Sequence, residues 1–160
     1  MTSDHVMRLN AMIDSIEIAM LTSVGEDETL HSRPMTVQAV QDDGTVWFFT
    51  SRTASAAYES QENCRVNVSY ADAKRSIFIS VSGTASLSDD RKKMAELWDP
   101  RLSAWFPKGL EDPDLRLLRV EVDRAEYWDV TQNALALLAG FARKAITGKA
   151  EGIGTHERIV

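Results

Sequence analysis

The chain has 160 residues, 44% of them hydrophobic, and a formal net charge of −6. That length suits one domain with a full core, and the acidic balance excludes a nucleic-acid backbone as a natural partner, because such binding draws on lysine and arginine. No run approaches the ~20 apolar residues of a membrane span, the start Met-Thr-Ser-Asp-His lacks the basic and apolar regions of a leader, and the lone Cys64 leaves no intrachain disulfide or cysteine metal cluster; the expectation is a cytoplasmic protein with neither nucleic acid nor membrane as partner.

Residues 3 to 16 place Val6, Leu9, Met12, Ile13 and Ile16 at helical spacing behind Ser3 and Asp4 as capping residues, which predicts an amphipathic first helix. Ile18 to Val24 is short, apolar and bounded by Gly25-Glu-Asp-Glu, so it reads as a strand joined tightly to a second strand over Leu30 to Val40. An Asp- and Gly-rich turn follows, then Val46 to Ser51, and the two runs together predict a hairpin. Pro34 has no backbone N–H and belongs at a sheet edge or bulge. Arg33 and Gln38 have opposite parity in an ideal strand, so both face one ligand only if Pro34 breaks the alternation. Arg52 to Asn63 is alanine-rich, with Thr53 or Ser55 as its cap, and reads as a short helix whose first N–H groups, just past Thr50 and Ser51, are open to an anion.

Val66, Val68 and Tyr70 alternate with Asn67 and Ser69, the pattern of a strand with one buried face. A turn at Ala71 to Arg75 leads to a partner strand over Ser76 to Ser86, in which Gly83 marks a bulge or close approach. Ser88 is the expected cap of a helix over Asp89 to Leu97. The stretch from Trp98 to Pro113 is a long aromatic loop holding three of the four prolines, and such loops are more often functional or interfacial than idle. Leu115 to Val130 returns to strand character, and from Asn133 an apolar helical face runs to Gly148. The domain is therefore drawn over 1–148, and the polar tail 149–160 is expected to be ordered only where a partner holds it. Six or seven short antiparallel strands with helices between them predict a mainly β protein, a small closed or split barrel.

Nucleophilic catalysis has no support, because there is no Gly-x-Ser-x-Gly elbow and His5, His31 and His156 show neither triad nor metal spacing. Gly152-Ile-Gly154 lacks the third glycine and the preceding strand of a dinucleotide turn. Asp89-Asp90 and Glu111-Asp112 read as a helix start and a solvated loop. What remains is a planar, anionic ligand. Arg33 supplies charge and a flat donor fork, the backbone at Phe48 to Thr50 can pair with a heterocycle edge, and Ser51, Arg52 and Ser55 at a helix start can hold a phosphate. Those groups suit FMN.

In their order and spacing, Ser32-Arg33-Pro34-Met35 with Gln38, Trp47-Phe48-Phe49-Thr50-Ser51, Asn63 to Tyr70, Gly83, the Trp98 to Pro113 loop, Glu126-Tyr127-Trp128-Asp129 and the ending Lys144 to Lys149 resemble the FMN-binding split barrels related to pyridoxamine 5′-phosphate oxidase. The resemblance covers nearly the whole chain and is narrowest to the bacterial general stress protein branch. It implies a six-stranded antiparallel split barrel with flanking helices, forming a homodimer with flavin at the subunit interface. It further implies that Arg33 and Gln38 contact the ribityl, phosphate or ring, that Pro34 and Met35 lie against the isoalloxazine, and that Phe48, Phe49, Thr50 and Ser51 line it through their backbone. Trp128 matches a tryptophan that reaches the cofactor from the other subunit, and Trp98 or Trp105 covers it.

Two departures bear on function. Where the family commonly carries a serine and a lysine for the phosphate, this chain has Ala54 and Ala56, leaving Arg52, Lys74 or Arg75 to compensate, and a looser phosphate site admits FAD as well as FMN. The Arg-x-His-Asp-Arg type ending that binds pyridoxine phosphates is absent after Trp128, which argues against vitamin B6 oxidation. The resemblance thus implies a flavin protein of the general stress type, as a flavin-dependent oxidoreductase of a small molecule or as a binder without turnover. The alternatives are a pyridoxamine phosphate oxidase and a non-catalytic flavin- or haem-binding split barrel, the latter with His31 as its axial ligand.

Overall fold

The computed structural model describes residues 2–25, 27–54, 64–129 and 155–158. Helix α1 (Ser3–Ile13) begins at Thr2, one residue before the expected caps, because the Thr2 hydroxyl accepts the His5 backbone N–H. Its Val6, Leu9 and Ile13 are buried, which fixes the apolar stripe against the sheet. Strands β1 (Ile18–Val24), β2 (Leu30–Thr36), β3 (Thr45–Ser51), β4 (Cys64–Asp72), β5 (Ile77–Ser88) and β6 (Leu115–Asp129) run in the order β2-β1-β4-β5-β6-β3, every neighbouring pair antiparallel. The sheet curls into a half-barrel, so the mainly β split-barrel expectation holds. The expected helices over 52–63 and 133–148 lie outside the described residues, apart from the turn at 52–54.

The predicted hairpin does not form. β2 pairs with β1 and β3 pairs with β6, which puts the two strands at opposite ends of the sheet. The Asp-Gly turn is present, with the Gln41 N–H on the Thr45 oxygen at 2.8 Å and Gly44 at φ 80°. However, β2 stops at Thr36, and the chain before the turn is held by other partners. The Val37 N–H donates to the Glu17 oxygen, and the Asn10 amide clamps both backbone groups of Val40, at 2.9 and 2.8 Å. Residues 37–40 are therefore tied to α1 and its exit through the Val37 N–H and both backbone groups of Val40.

Pro34 sits on an edge strand as expected, but without a bulge, since the β1–β2 register runs unbroken from Ile18↔Thr36 to Val24↔Leu30. Gly83 does mark a bulge. The β5–β6 register shifts between Ser82 and Gly83, and a Cβ at Gly83 would stand 2.2 Å from the Glu121 carbonyl oxygen. Helix α2 (Arg91–Leu97) is capped by Asp90, whose carboxylate accepts the N–H groups of Lys92 and Lys93, while the proposed cap Ser88 ends β5 instead. Within the tail, β7 (Thr155–Arg158) pairs with Glu126–Asp129 of its own chain. β3 reaches only as far as Glu121 on that side of β6, and the remaining edge has backbone groups in need of partners.

Two cores result. The larger lies between α1 and the sheet and includes Leu9, Leu21, Phe48, Val68, Tyr70 and Val81. The smaller gathers Phe49, Met94, Leu102, Leu115 and Leu117 beneath α2 and the 98–113 loop. Consequently Phe48 and Phe49, on opposite faces of β3, are both buried. The aromatic loop is ordered by that second core and by two short 3-10 turns, Pro100–Ala104 and Gly109–Glu111.

Candidate functional site

Curling brings the end of β2 toward β3 and the aromatic loop. A small cavity of about 60 Å³ lies there, lined by Pro34 and Met35 from β2, Phe49 from β3, Ile18 from β1 and Trp105 and Phe106 from the loop. It adjoins a larger one of about 350 Å³ between the C-terminal end of α1, the segment after β2 and the loop, with Gln38, Arg101 and Trp105 in its wall. Ile18, Thr36 and Trp105 line both.

Met35 is buried and pairs with Ala19, and Arg33 is half-buried opposite Leu21, so both side chains share the face of β2 that turns toward the main core. Burial pushes the Cys64 thiol up, and the Arg33 charge nearby opposes that push. Gln38 lies past the end of β2 and is free of strand parity, which removes the conflict with Arg33. Its Nε2 is buried with no hydrogen-bond partner among the described residues. A buried amide donor left in that state calls for an acceptor on a ligand or water.

Among the described residues β3 is hydrogen-bonded to a strand, β6, on one side only, and there the opposite edge of Phe48–Ser51 is open to a ligand's polar rim. Ser51 Oγ accepts the Ala54 N–H at 3.1 Å and meets Thr53 Oγ1 at 3.1 Å, so Ser51 caps the turn at 52–54, while the helix expected behind Thr53 or Ser55 lies outside the described residues. The Arg52 N–H donates to the Asp114 oxygen, and the Arg52 residue is exposed. Ser55 lies outside the described residues.

Other expectations separate. Trp98 packs edge-on against Phe49 with ring centroids 5.5 Å apart, as a buttress behind β3, and lines neither cavity; Trp105, 60% exposed, lines both. Trp128 stands opposite Phe78, and three strands separate β6 from β2, so within one chain it stays away from both cavities. Arg75 is not a phosphate ligand in waiting. Its Nε and Nη2 donate to Asp72 Oδ2 and the Met12 oxygen, each at 2.6 Å, and bonds from Arg75 and Ser15 hold the Asp72 carboxyl well below the usual carboxylate range. His31 sits by the β1–β2 turn, 2.8 Å from Thr29 Oγ1, and lines neither cavity. Among the described residues no cluster of three metal-ligating side chains occurs, and no helix is long and apolar enough to cross a membrane. Sequence reading missed the part played by Asn10, Asp14 and Glu17, since nothing local in α1 marks its C-terminal end as the wall of a cavity.

A curled antiparallel sheet with a pocket between the end of one edge strand and an aromatic loop defines a split-barrel protein, and the chain belongs to the pyridoxamine 5′-phosphate oxidase-like family, whose model matches residues 4–151. It is 30% identical over 152 residues to the protein bli-3 of Neurospora crassa, covering 88% of this chain and 72% of that one. Among solved structures it resembles the general stress FMN/FAD-binding protein of Xanthomonas citri, with a TM-score of 0.66 and 32% identity over 80% of this chain and 90% of that one. A general stress protein 26 from Jannaschia sp. CCS1 superposes over 98% of both chains with a TM-score of 0.71 at 22% identity, a likeness of fold.

Proposed function

We propose that this protein binds FMN, and FAD as a second flavin, as a homodimer of the general stress type, and uses it to transfer electrons to or from a small molecule in the cytoplasm. The buried Gln38 Nε2 carries the reading: an unmet amide donor lies beside Met35, the Arg33-bearing strand and the open edge of β3. Those groups fit a planar heterocycle with acceptor atoms on its rim. Met35 and Phe49 flank the ring, the β3 backbone and Gln38 orient its polar edge, and Arg33 carries the positive charge toward the ribityl phosphate. Ser51 and Arg52 stand at the phosphate end, and Ser55 is assigned there from its place in the sequence alone. A bound flavin supplies the redox chemistry, while the chain orients it and keeps water from its ring. The 32%-identical Xanthomonas citri protein is described as FMN/FAD-binding, which supports the choice of ligand.

The dimer rests on an exposed face. Ile18, Met20, Val24, Leu30 and Phe78 are between 38% and 72% exposed, and the register places Phe78 beside Trp128 on that face. A second copy seated there would cover the strip and carry its Trp128 to the flavin of the first. Titrating the protein into FMN, FAD and pyridoxal phosphate should quench the two flavins saturably and leave pyridoxal phosphate unbound. Arg33→Ala removes a charged donor and should weaken FMN binding roughly ten- to a hundredfold, on the order of 1.5–3 kcal/mol. Unquenched flavin at micromolar protein would overturn the reading.

A further inference from the structure

The larger cavity extends beyond the flavin-type groups, and its wall has a chemistry of its own. Asp14 and Glu17, both exposed, line it where α1 gives way to β1. The one cation among its described lining residues is Arg101, and that guanidinium is committed, with Nε and Nη2 at 3.0 and 2.8 Å from Asp99 Oδ2. Arg101 lies near enough to Glu17 for their charges to attract, but it is already paired with Asp99, so Asp14 and Glu17 leave the opening with a net negative charge and an approaching anion meets repulsion. Apolar side chains such as Ile13 and Val37 form much of the rest, and Trp105 offers a largely exposed indole for stacking. Gln38 contributes the buried Nε2 that lacks an acceptor.

We propose that this cavity binds a neutral, planar ring bearing a carbonyl oxygen, stacked on Trp105 with the oxygen on Gln38 Nε2, and that it rejects phosphorylated and carboxylated compounds. The indole selects a flat ring, the amide donor selects an acceptor, and Asp14 and Glu17 select against negative charge. The flavin reading uses the same Gln38 Nε2, so the ring and a flavin compete for that donor, and the ring is tested on flavin-free protein.

Phthalimide and phthalate form a matched pair of probes, the same ring carrying two neutral carbonyls or two carboxylates. Isothermal titration calorimetry of the full chain should show saturable phthalimide binding and at least tenfold weaker phthalate binding. Gln38→Leu should weaken phthalimide at least fivefold, and so should Trp105→Ala, a change at an exposed side chain that leaves folding intact. Asp14→Asn combined with Glu17→Gln should narrow the gap between the probes. Phthalimide that fails to saturate, phthalate that binds equally well, or variants that bind phthalimide like the wild type would overturn the proposal. A separate FMN titration keeps the readings distinct: FMN bound without phthalimide sinks the cavity assignment alone, and phthalimide bound without FMN sinks the flavin reading alone.

Discussion

Gly83 has almost no room for a side chain. A Cβ there would lie 2.2 Å from the backbone oxygen of Glu121, and backbone on the neighbouring strand cannot swing aside as a flexible side chain would. Gly83→Ala should cost about 1–3 kcal/mol, read as a drop of roughly 2–4 °C in Tm per kcal/mol. An unchanged melting curve would mean that the bulge shifts freely. Asp72 makes the second residue-scale case. Its carboxylate accepts bonds from Ser15 Oγ and from the backbone and side chain of Arg75, and its folded pKa lies below the unfolded value. The stability it contributes is thus present above the unfolded pKa, about 4, and drains away as pH falls through the folded value. Asp72→Asn should lower the Tm at pH 7 and flatten the loss of stability below about pH 4, as a series of melts across pH would show. Both residues were marked in the sequence, Gly83 by its place inside an alternating strand and Asp72 by its place in a turn. What Asp72 bonds to was hidden, because Ser15 is 57 positions away and the contact exists only once α1 packs on the β4–β5 end.

At the scale of elements, local pattern and pairing part company. The alternation of Val66, Val68 and Tyr70 predicted β4 with its buried face, and the spacing of Val6, Leu9 and Ile13 predicted α1, because burial of one face follows directly from periodicity. The hairpin failed for a different reason. Turn residues fix a local reversal but not which strand the chain pairs with, and the two hydrogen bonds from Asn10 to Val40 draw the segment after β2 toward α1. Asn10→Ala should therefore cost about 1–2 kcal/mol and speed amide exchange at Val40, whose N–H now donates to Asn10 Oδ1. Slow exchange at Val40 in that variant would show that the tie is dispensable. Because residues 37–40 carry Gln38, the same clamp positions the amide of the candidate site.

At the scale of the whole molecule, the curled sheet leaves its β1–β2 end with an apolar outer strip, including Met20 at 41% and Leu30 at 72% exposure. Isolated apolar residues on a surface need no explanation, but a contiguous strip on an edge pair is a natural contact surface. If the proposed dimer forms there, Met20→Glu should shift the protein toward the monomer in light scattering and weaken flavin binding with it. A dimer that survives the change would move the interface elsewhere. The tail also belongs to this scale. Thr155–Arg158 shows no strand pattern of its own and becomes β7 because β6 outruns β3 and leaves an edge to fill.

The sequence by itself determined the β-rich single sheet, the amphipathic α1 and the Gly83 bulge, since periodicity and glycine placement are local properties of the chain. Tertiary structure decided which of those residues meet. Met35, Phe49 and Trp105 line one cavity because the sheet curls, while Trp98 was taken up by the second core behind β3 and Trp128 was left strands away. Strand order and sheet curvature arise from contacts distant in sequence, and no local pattern of residues encodes them.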